Sequence, residues 1–294
     1  MKTAFCKDSE LLAAIKTADG GDEHFHLWWL GQSGFLIKWR SSCLLFDPYL
    51  SDSLTAKYTD SDKPHIRITE RVIDPLQLDF ISITTSSHNH TDHLDAETLQ
   101  ALAQANPRLK IVLPAANLEF AVERLQIPNL EMIGLDEKQP VVLDPFTFNG
   151  VNAAHNEVER DELGQSRFMG FVVTFGPWSI YHSGDTLWHE TLVSELREHR
   201  IDLALVPING NNPARRVAGN LNGTEAAALA KAIGARIAVA HHFDMFEFNT
   251  ADPGEFITAC QRLAQPCRVL ENGEGWCSSE LVQDSTKPTT AACR

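Results

Sequence analysis

Ser86-Ser87-His88-Asn89-His90-Thr91-Asp92-His93-Leu94-Asp95 crowds three imidazoles and one carboxylate into positions 88–93. It follows a short apolar run, Leu78–Thr84 (LDFISIT), and precedes Ala96–Ala105, which has helical character. Neutral imidazole and carboxylate are the donors that borderline divalent metals prefer. In an extended or turning backbone, residues two apart point the same way. His88 and His90 can therefore grip one ion, while Asp92 and His93 fall on the other side of the turn and can address a second. The stretch reads as the floor of a metal site. It can be completed only if distant parts of the chain deliver further ligands to it.

The rest of the composition permits this. The chain has 294 residues, 43% of them hydrophobic, which is ordinary for a globular protein. Its formal charge of −14 repels phosphate backbones, so nucleic acid is not an expected partner. Small anions are a different matter, because bound divalent ions invert the local field. No apolar run approaches the ~18 residues of a membrane span, and Asp8 and Glu10 stand where a secretion signal needs its apolar core. A cytoplasmic protein is expected. The six cysteines show no CxxC spacing and read as free thiols.

Taken in order, the chain alternates strand-like and helical segments. Ser9–Thr17 reads as a peripheral helix. His24–Leu30, Phe35–Trp39 and Cys43–Phe46 read as a strand meander, with Trp28 and Trp29 in its core. Leu50–Ile73 is a long polar loop near the site. Beyond it, strands are expected at Phe80–Thr84, Lys110–Leu113, Val151–Ala154, Met169–Phe175, Trp178–His182, Leu203–Val206, Arg236–Ala240 and Arg268–Leu270. Helices are expected at Asp95–Ala105, Asn117–Gln126, Leu187–Glu198 and Thr224–Ile233, the last with Asn222 and Glu225 at capping-box spacing. This is mixed α/β layering in one domain spanning 1–294, with a mobile tail at Asp284–Arg294.

Metal-competent residues recur at the ends of strand-like runs: the 88–93 cluster, His155, Asp185, and the pair His241/His242. Loops converge at one edge of layered α/β proteins, so these can meet. His155 would join His88 and His90, and the 241/242 pair would join Asp92 and His93. Asp185, beside Gly184, can bridge, because a carboxylate has two oxygens. Two such ions would acidify water to a pKa near ~7 and clamp both the attacking and leaving oxygens of an ester, lactone, amide or phosphodiester. Asp92 could also orient the attacking water or shuttle its proton. Asp47, before Pro48, is a candidate acceptor behind a ligating imidazole. Arg160, Arg167, Arg215 and Arg216 are candidates for clamping a substrate anion. The scattered His24, His26, His65, His182, His189 and His199 read as hydrogen-bonded surface or core residues.

His88-Asn-His90-Thr-Asp92-His93 resembles the HxHxDH signature of the metallo-β-lactamase-fold hydrolases. Trp28–Gly34, Phe46-Asp47-Pro48, Tyr181–Thr186, His242–Phe246 and Ala251-Asp252-Pro253 are similar to the branch containing the L-ascorbate-6-phosphate lactonases, and the likeness covers most of Phe25–Trp276. The resemblance implies an αββα sandwich, two mixed β-sheets between helix layers. It implies two divalent ions, zinc foremost, with manganese or iron as alternatives. Its ligand set is His88, His90, Asp92, His93, His155, Asp185 and His242, the last chosen over His241 because His242-Phe243-Asp-Met-Phe246 fits the pattern without a gap. His155 departs from the lactonases, which carry a carboxylate near that point, and looks more like the general two-metal members. The implied activity is hydrolysis by a metal-bridging hydroxide of a small anionic ester, with a sugar-phosphate lactone first and a phosphodiester next. The lactonase likeness also implies an assembly larger than a monomer. The rival is a non-catalytic scaffold that buries the same ligands without an open coordination position.

Overall fold

In the computed structural model, which describes residues 1–283, the expected meander is present as His26–Gly31 (β1), Gly34–Trp39 (β2) and Ser42–Phe46 (β3). Nearly every residue in it is buried, and neighbours along the chain go to opposite sides. Leu27, Trp29, Phe35, Ile37, Leu44 and Phe46 enter one apolar cluster. Trp28, Leu30, Leu36, Cys43 and Leu45 enter another. Side chains alternate with period two along a strand, so a sheet apolar on both faces must be covered on both. Each large apolar side chain so enclosed contributes on the order of 2 kcal/mol relative to exposure.

Both coverings are present. The remaining strands are Ile83–Thr85 (β4), Lys110–Pro114 (β5), Glu131–Leu135 (β6), Val141–Leu143 (β7), Phe146–Asn152 (β8), Met169–Phe175 (β9), Trp178–His182 (β10), Leu203–Pro207 (β11), Ile237–His241 (β12), Cys267–Arg268 (β13) and Gly275–Cys277 (β14). They form two seven-stranded sheets, ordered β14-β1-β2-β3-β4-β5-β6 and β13-β12-β11-β10-β9-β8-β7. Phe148, Phe171, Val173 and Ile180 of the second sheet share a cluster with Phe35, Ile37 and Phe46 of the first. The helices Asp8–Thr17 (α1), Ala96–Ala105 (α3) and Leu118–Leu125 (α4) cover the other face of the first sheet through Leu11, Ile15, Leu99, Leu102, Ala121 and Leu125. Gly223–Ala232 (α6) and Gly254–Leu263 (α7) pack on the second sheet, burying Leu229 and Phe256. Short helices lie at Ser53–Lys57 (α2), Leu192–Leu196 (α5) and Ser279–Gln283 (α8). This is the αββα sandwich. None of its helices is long and apolar enough to cross a membrane, among the described residues.

Each sheet is mixed in the same way. β14-β1-β2-β3 pair antiparallel and β3-β4-β5-β6 parallel. β7-β8-β9-β10 pair antiparallel and β10-β11-β12-β13 parallel. The direction therefore switches at β3 and at β10, and open α/β sheets collect ligands beyond the carboxyl ends of strands at such a switch. The last residues of the two switch strands, Phe46 and His182, stack across the sandwich with centroids 4.8 Å apart.

Several local expectations need correction. The helix expected over Leu187–Glu198 is only α5. Before it, Leu187 N–H bonds Ala154 O at 2.6 Å and His189 Nε2 bonds Asn152 O at 3.0 Å, so the chain follows the end of β8 instead of coiling. α7, β6, β7 and β14 have no counterpart in the sequence reading. The Leu50–Ile73 loop carries α2. The tail read as mobile lies outside the described residues.

Candidate metal centre

The loop after β4 is fixed at both ends. Ser86 N–H continues the ladder to Val112 O at 3.0 Å, and Asp95 caps α3 by accepting from Thr98 N–H at 3.2 Å. Between them, His93 and Leu94 donate to His90 O at 3.1 and 2.8 Å and close a turn. The four metal-competent side chains at 88, 90, 92 and 93 thus project from a few residues of tightly bonded backbone.

The other ligands come from three strand ends. His155 lies just beyond β8, Asp185 just beyond β10, and His242 directly after β12. Gly184 has φ +56°, and a Cβ there would stand 2.6 Å from Ser87 Cβ, so only glycine lets the second loop cross the first this closely. His242 also has positive φ, +61°, a conformation rare outside glycine. It turns His242 toward the site and leaves His241 in the core. There His241 lies 3.2 Å from both Ser33 Oγ and Ser183 Oγ and stacks on His182 at 5.2 Å.

Three groups could each hold an ion: His88, His90 and His155; His88, His93 and Asp185; Asp92, His93 and His242. Asp185 stands among them. Its Oδ1 is 3.3 Å from His93 Nε2, and its Oδ2 is 3.4 Å from His155 Nε2 and 3.2 Å from His242 Nε2. His242 Nε2 is also 3.6 Å from Asp92 Oδ2. The far ring nitrogens are engaged behind the site. His93 Nδ1 donates to Asp47 Oδ2 at 2.8 Å, His155 Nδ1 donates to Gly219 O at 2.9 Å, and His88 Nδ1 lies 3.0 Å from Ser87 Oγ. Such backing selects the tautomer whose Nε2 lone pair points inward. Asp47 is itself held by Thr85 Oγ1 at 2.7 Å and by Ser87 N–H at 3.1 Å.

The donor set fits divalent cations on a structural test. His88 Nε2, His93 Nε2 and Asp185 Oδ1 are buried without a hydrogen-bond partner among the described residues. Buried polar atoms are almost always satisfied, so a partnerless His88 Nε2 beside His93 Nε2 and Asp185 Oδ1, which face each other at 3.3 Å without a hydrogen bond, fits the place of an ion. Electrostatics agree. Burial would lower the pKa of His242, but Asp185 and Asp92 raise it to about 9. Against the same burial, Asp185 and Asp92 hold His93 well above its usual range. Burial would raise both carboxyls, yet the surrounding imidazoles hold them well below the usual range. For His88 and His155, burial wins and the pKa falls. Without a cation, protons on His93 and His242 balance the two carboxylates.

A cavity of about 630 Å³ opens over this cluster, with His90, Asp92, His155, Asp185 and His242 on its floor. Lys57, Lys63, Arg124 and Arg216 are on its walls, with Asp62 paired to Arg216 among them. Of the four arginines proposed from sequence, Arg216 alone lines the cavity; Arg160, Arg167 and Arg215 do not. Arg160 is engaged by Glu137 and, at 3.0 Å, by Asn152 Oδ1. Arg215 bonds Asn209 O at 2.5 Å and Thr250 O at 2.8 Å, while Arg167 is exposed outside the lining. Gln32 was not anticipated. Its Nε2 donates to Asp92 Oδ2 at 2.7 Å, and its backbone O accepts from His242 N–H at 3.0 Å. A polar residue in a hairpin reads as turn chemistry, so only contacts with residues 60 and 210 positions away disclose it. Arg124 was hidden as a basic residue in the last turn of α4, where the helix dipole already favours one.

Comparisons with known proteins agree with this geometry. The pattern of the β-lactamase superfamily domain matches residues 44–243. A metal-dependent hydrolase of Opitutus terrae is 31% identical over 258 residues, covering 84% of this chain and 97% of its own. A protein of Escherichia coli named as a probable L-ascorbate-6-phosphate lactonase is 21% identical over 265 residues, covering 79% of this chain and 73% of its own. The solved structure of a possible metal-dependent hydrolase from Veillonella parvula superposes with a TM-score of 0.68 at 14% identity, covering 85% of this chain and 98% of its own.

Proposed function

The chain belongs to the metallo-β-lactamase superfamily of metal-dependent hydrolases, and from that premise we propose that it cleaves a small anionic ester-type substrate in the cavity above Asp185. One observation carries the reading: the ligand cluster forms the floor of an open cavity walled by four cations against one further carboxylate, Asp62, which pairs with Arg216, in a chain whose net charge is −14. A metal-holding scaffold would enclose its ligands, whereas a hydrolase must leave a coordination position facing its substrate. Two divalent ions held by His88, His90, Asp92, His93, His155, Asp185 and His242 would supply Lewis acidity and an acidified water.

The chain's own groups do the rest. Lys57, Lys63, Arg124 and Arg216 draw the anion in and hold it. Gln32 pins one oxygen of Asp92, so that its carboxylate is presented at a fixed angle to orient the attacking water and shuttle its proton. Asp47 keeps the His93 ring from rotating. The Escherichia coli relative is named for a phosphorylated lactone, and a phosphate suits the cationic wall, so sugar-phosphate lactones are the first substrates to try and phosphodiesters the next. The test is to strip the protein, reload it separately with zinc, manganese and iron, and assay sugar-phosphate lactones, simple lactones and bis-p-nitrophenyl phosphate. Turnover that tracks metal content is expected. A protein carrying two ions that turns over none of these would be the scaffold instead.

A further inference from the structure

One wall of the cavity is aromatic. Tyr58, His65, Phe246 and Phe248 line it, together with Leu54. They come from two segments far apart in sequence that are sewn into one unit. Ile68 N–H bonds Met245 O at 2.9 Å and Glu247 N–H bonds Ile66 O at 3.0 Å, so the chain around Arg67 pairs with the chain around Phe246. Buried Arg67 fixes the base of the wall through Asp52 at 2.6 Å, through Ser51 O, and over the Tyr49 ring. Within the wall, His65 is the hub. It stacks on Tyr58 with centroids 4.2 Å apart and meets Phe248 and Phe246 edge-on at 4.5 and 5.2 Å. Burial lowers the His65 pKa, so at neutral pH the ring joins the wall as an uncharged aromatic.

Phe246 is buried, but Tyr58, His65 and Phe248 remain partly open although nothing in the metal chemistry needs aromatic rings. Rings held rigidly against one another lose little entropy when a further ring packs on them, and aromatic pairs favour one another beyond the area they bury. The cations line the same cavity, and Lys57 Nζ lies 5.2 Å from the Tyr58 ring centroid. A ligand filling this space therefore meets an aromatic surface, a stacked pair with Phe248 edge-on beside it, and a positive one at once.

We propose that the substrate carries a planar aromatic ring as well as an anionic group, with the ring seated against Tyr58, His65 and Phe248, which Phe246 backs, and the anion held by Lys57, Lys63, Arg124 and Arg216. This rests on the hydrolase reading above and narrows its substrate class. The reaction is plain hydrolysis: water oxygen joins the acyl or phosphoryl centre, the ester bond breaks, and the leaving oxygen takes the proton.

The test needs no turnover. Phenylphosphonate and cyclohexylphosphonate carry the same anion and differ in the ring, so the ratio of their dissociation constants on the metal-loaded protein isolates the wall. The phenyl compound is expected to bind about fivefold tighter or more. Phe248→Leu and Tyr58→Leu should bring the ratio toward one, while Tyr58→Phe, which keeps the ring, should preserve it. A ratio near one in the unaltered protein overturns the proposal, as does a ratio that both leucine variants leave unchanged. Failure of the hydrolase reading has a separate signature, a protein with two ions bound that hydrolyses no ester, lactone or phosphodiester.

Discussion

Strands β1–β6 and β8–β13 follow one plan, an antiparallel meander of three continued by three parallel strands. Yet they deliver their metal-competent groups differently. The first set offers four, at 88, 90, 92 and 93, from one loop after β4. The second offers three, His155, Asp185 and His242, from the ends of β8, β10 and β12. The carboxylates that follow the two switch strands also diverge: Asp47 stands behind His93, whereas Asp185 stands among the ligands. In the first half, spacing is set by a turn, a local property. In the second it is set by sheet register and the packing beneath it. The loop's spacing comes from its own turn, closed by His93 and Leu94 on His90 O, but the site exists only while the sandwich brings three strand ends to it.

The largest effect should come from the residue that joins the halves. Asp185→Ala removes the contacts to His93, His155 and His242 together. Turnover should fall by roughly three orders of magnitude, the several kcal/mol of charge stabilisation that a metal pair supplies. Metal analysis should find fewer than two ions. Asp92→Ala, in the first half, should abolish turnover equally while leaving a folded protein, as read by circular dichroism. Near-normal activity in that variant would remove Asp92 from the mechanism.

A smaller effect is expected behind the ligands. Asp47→Asn keeps the size of the side chain but loses the charge that backs His93. Losing such a partner costs about 10–100-fold in metal affinity. Because the first half is local, competition with a chelator should show this loss without a large drop in melting temperature. A collapse of the fold would mean that the loop depends on the sandwich as much as the strand ends do.

This contrast also explains what was legible in the sequence. The 88–93 cluster could be read because its geometry is local and its residues have few other uses at that density. His155 and Asp185 could be placed because they follow strand-like runs. The choice between His241 and His242 needed a family pattern, since the deciding feature is a backbone turned to positive φ at residue 242. β7 and β14 are three residues each, too short for an alternation to register, and β14 pairs with a strand some 250 positions earlier. Of the arginines proposed from sequence, Arg216 reaches the cavity and the other three do not; charge alone does not say which carbonyls and carboxylates already hold a guanidinium, as they hold Arg160 and Arg215.

Protons and metal should compete, and pH can show it. In the cation-free protein, His242 is raised to about 9 by Asp185 and Asp92, and His93 is raised as well. A raised imidazole pKa stabilises the fold fully below the unfolded value near ~6.5, and the contribution is lost as pH rises through the folded value. The metal-free protein should therefore lose stability from pH 6.5 toward about 9. Metal affinity should move the opposite way, gaining about tenfold per pH unit for each proton expelled. Calorimetry in buffers of different ionisation enthalpy counts those protons. Release of none would show that the two histidines are already neutral in the empty site.

The smallest effect lies where the two halves touch. Gly184 has φ +56°, and a Cβ there would meet Ser87 Cβ at 2.6 Å and Met169 O at 3.0 Å. Gly184→Ala must therefore either strain the turn before Asp185 or push Ser87 aside, at about 1–3 kcal/mol, a few degrees in melting temperature. Ser87 N–H bonds Asp47, and Ser87 O accepts from Met169 N–H of β9 at 3.1 Å, so displacement would reach the first half's ligands from the second half's backbone. If strain stays in the turn, Asp185 moves and the affinity of both ions falls together. If Ser87 yields, His88 loses its backing while Asp185 keeps its place, and the ion held by His88, His90 and His155 should suffer before any loss at Asp185. Metal titrations that resolve one binding step from two distinguish these outcomes. A variant with unchanged stability and two equal ions would show that the crossing of the loops is slack, and that the halves are coupled through Asp185 alone.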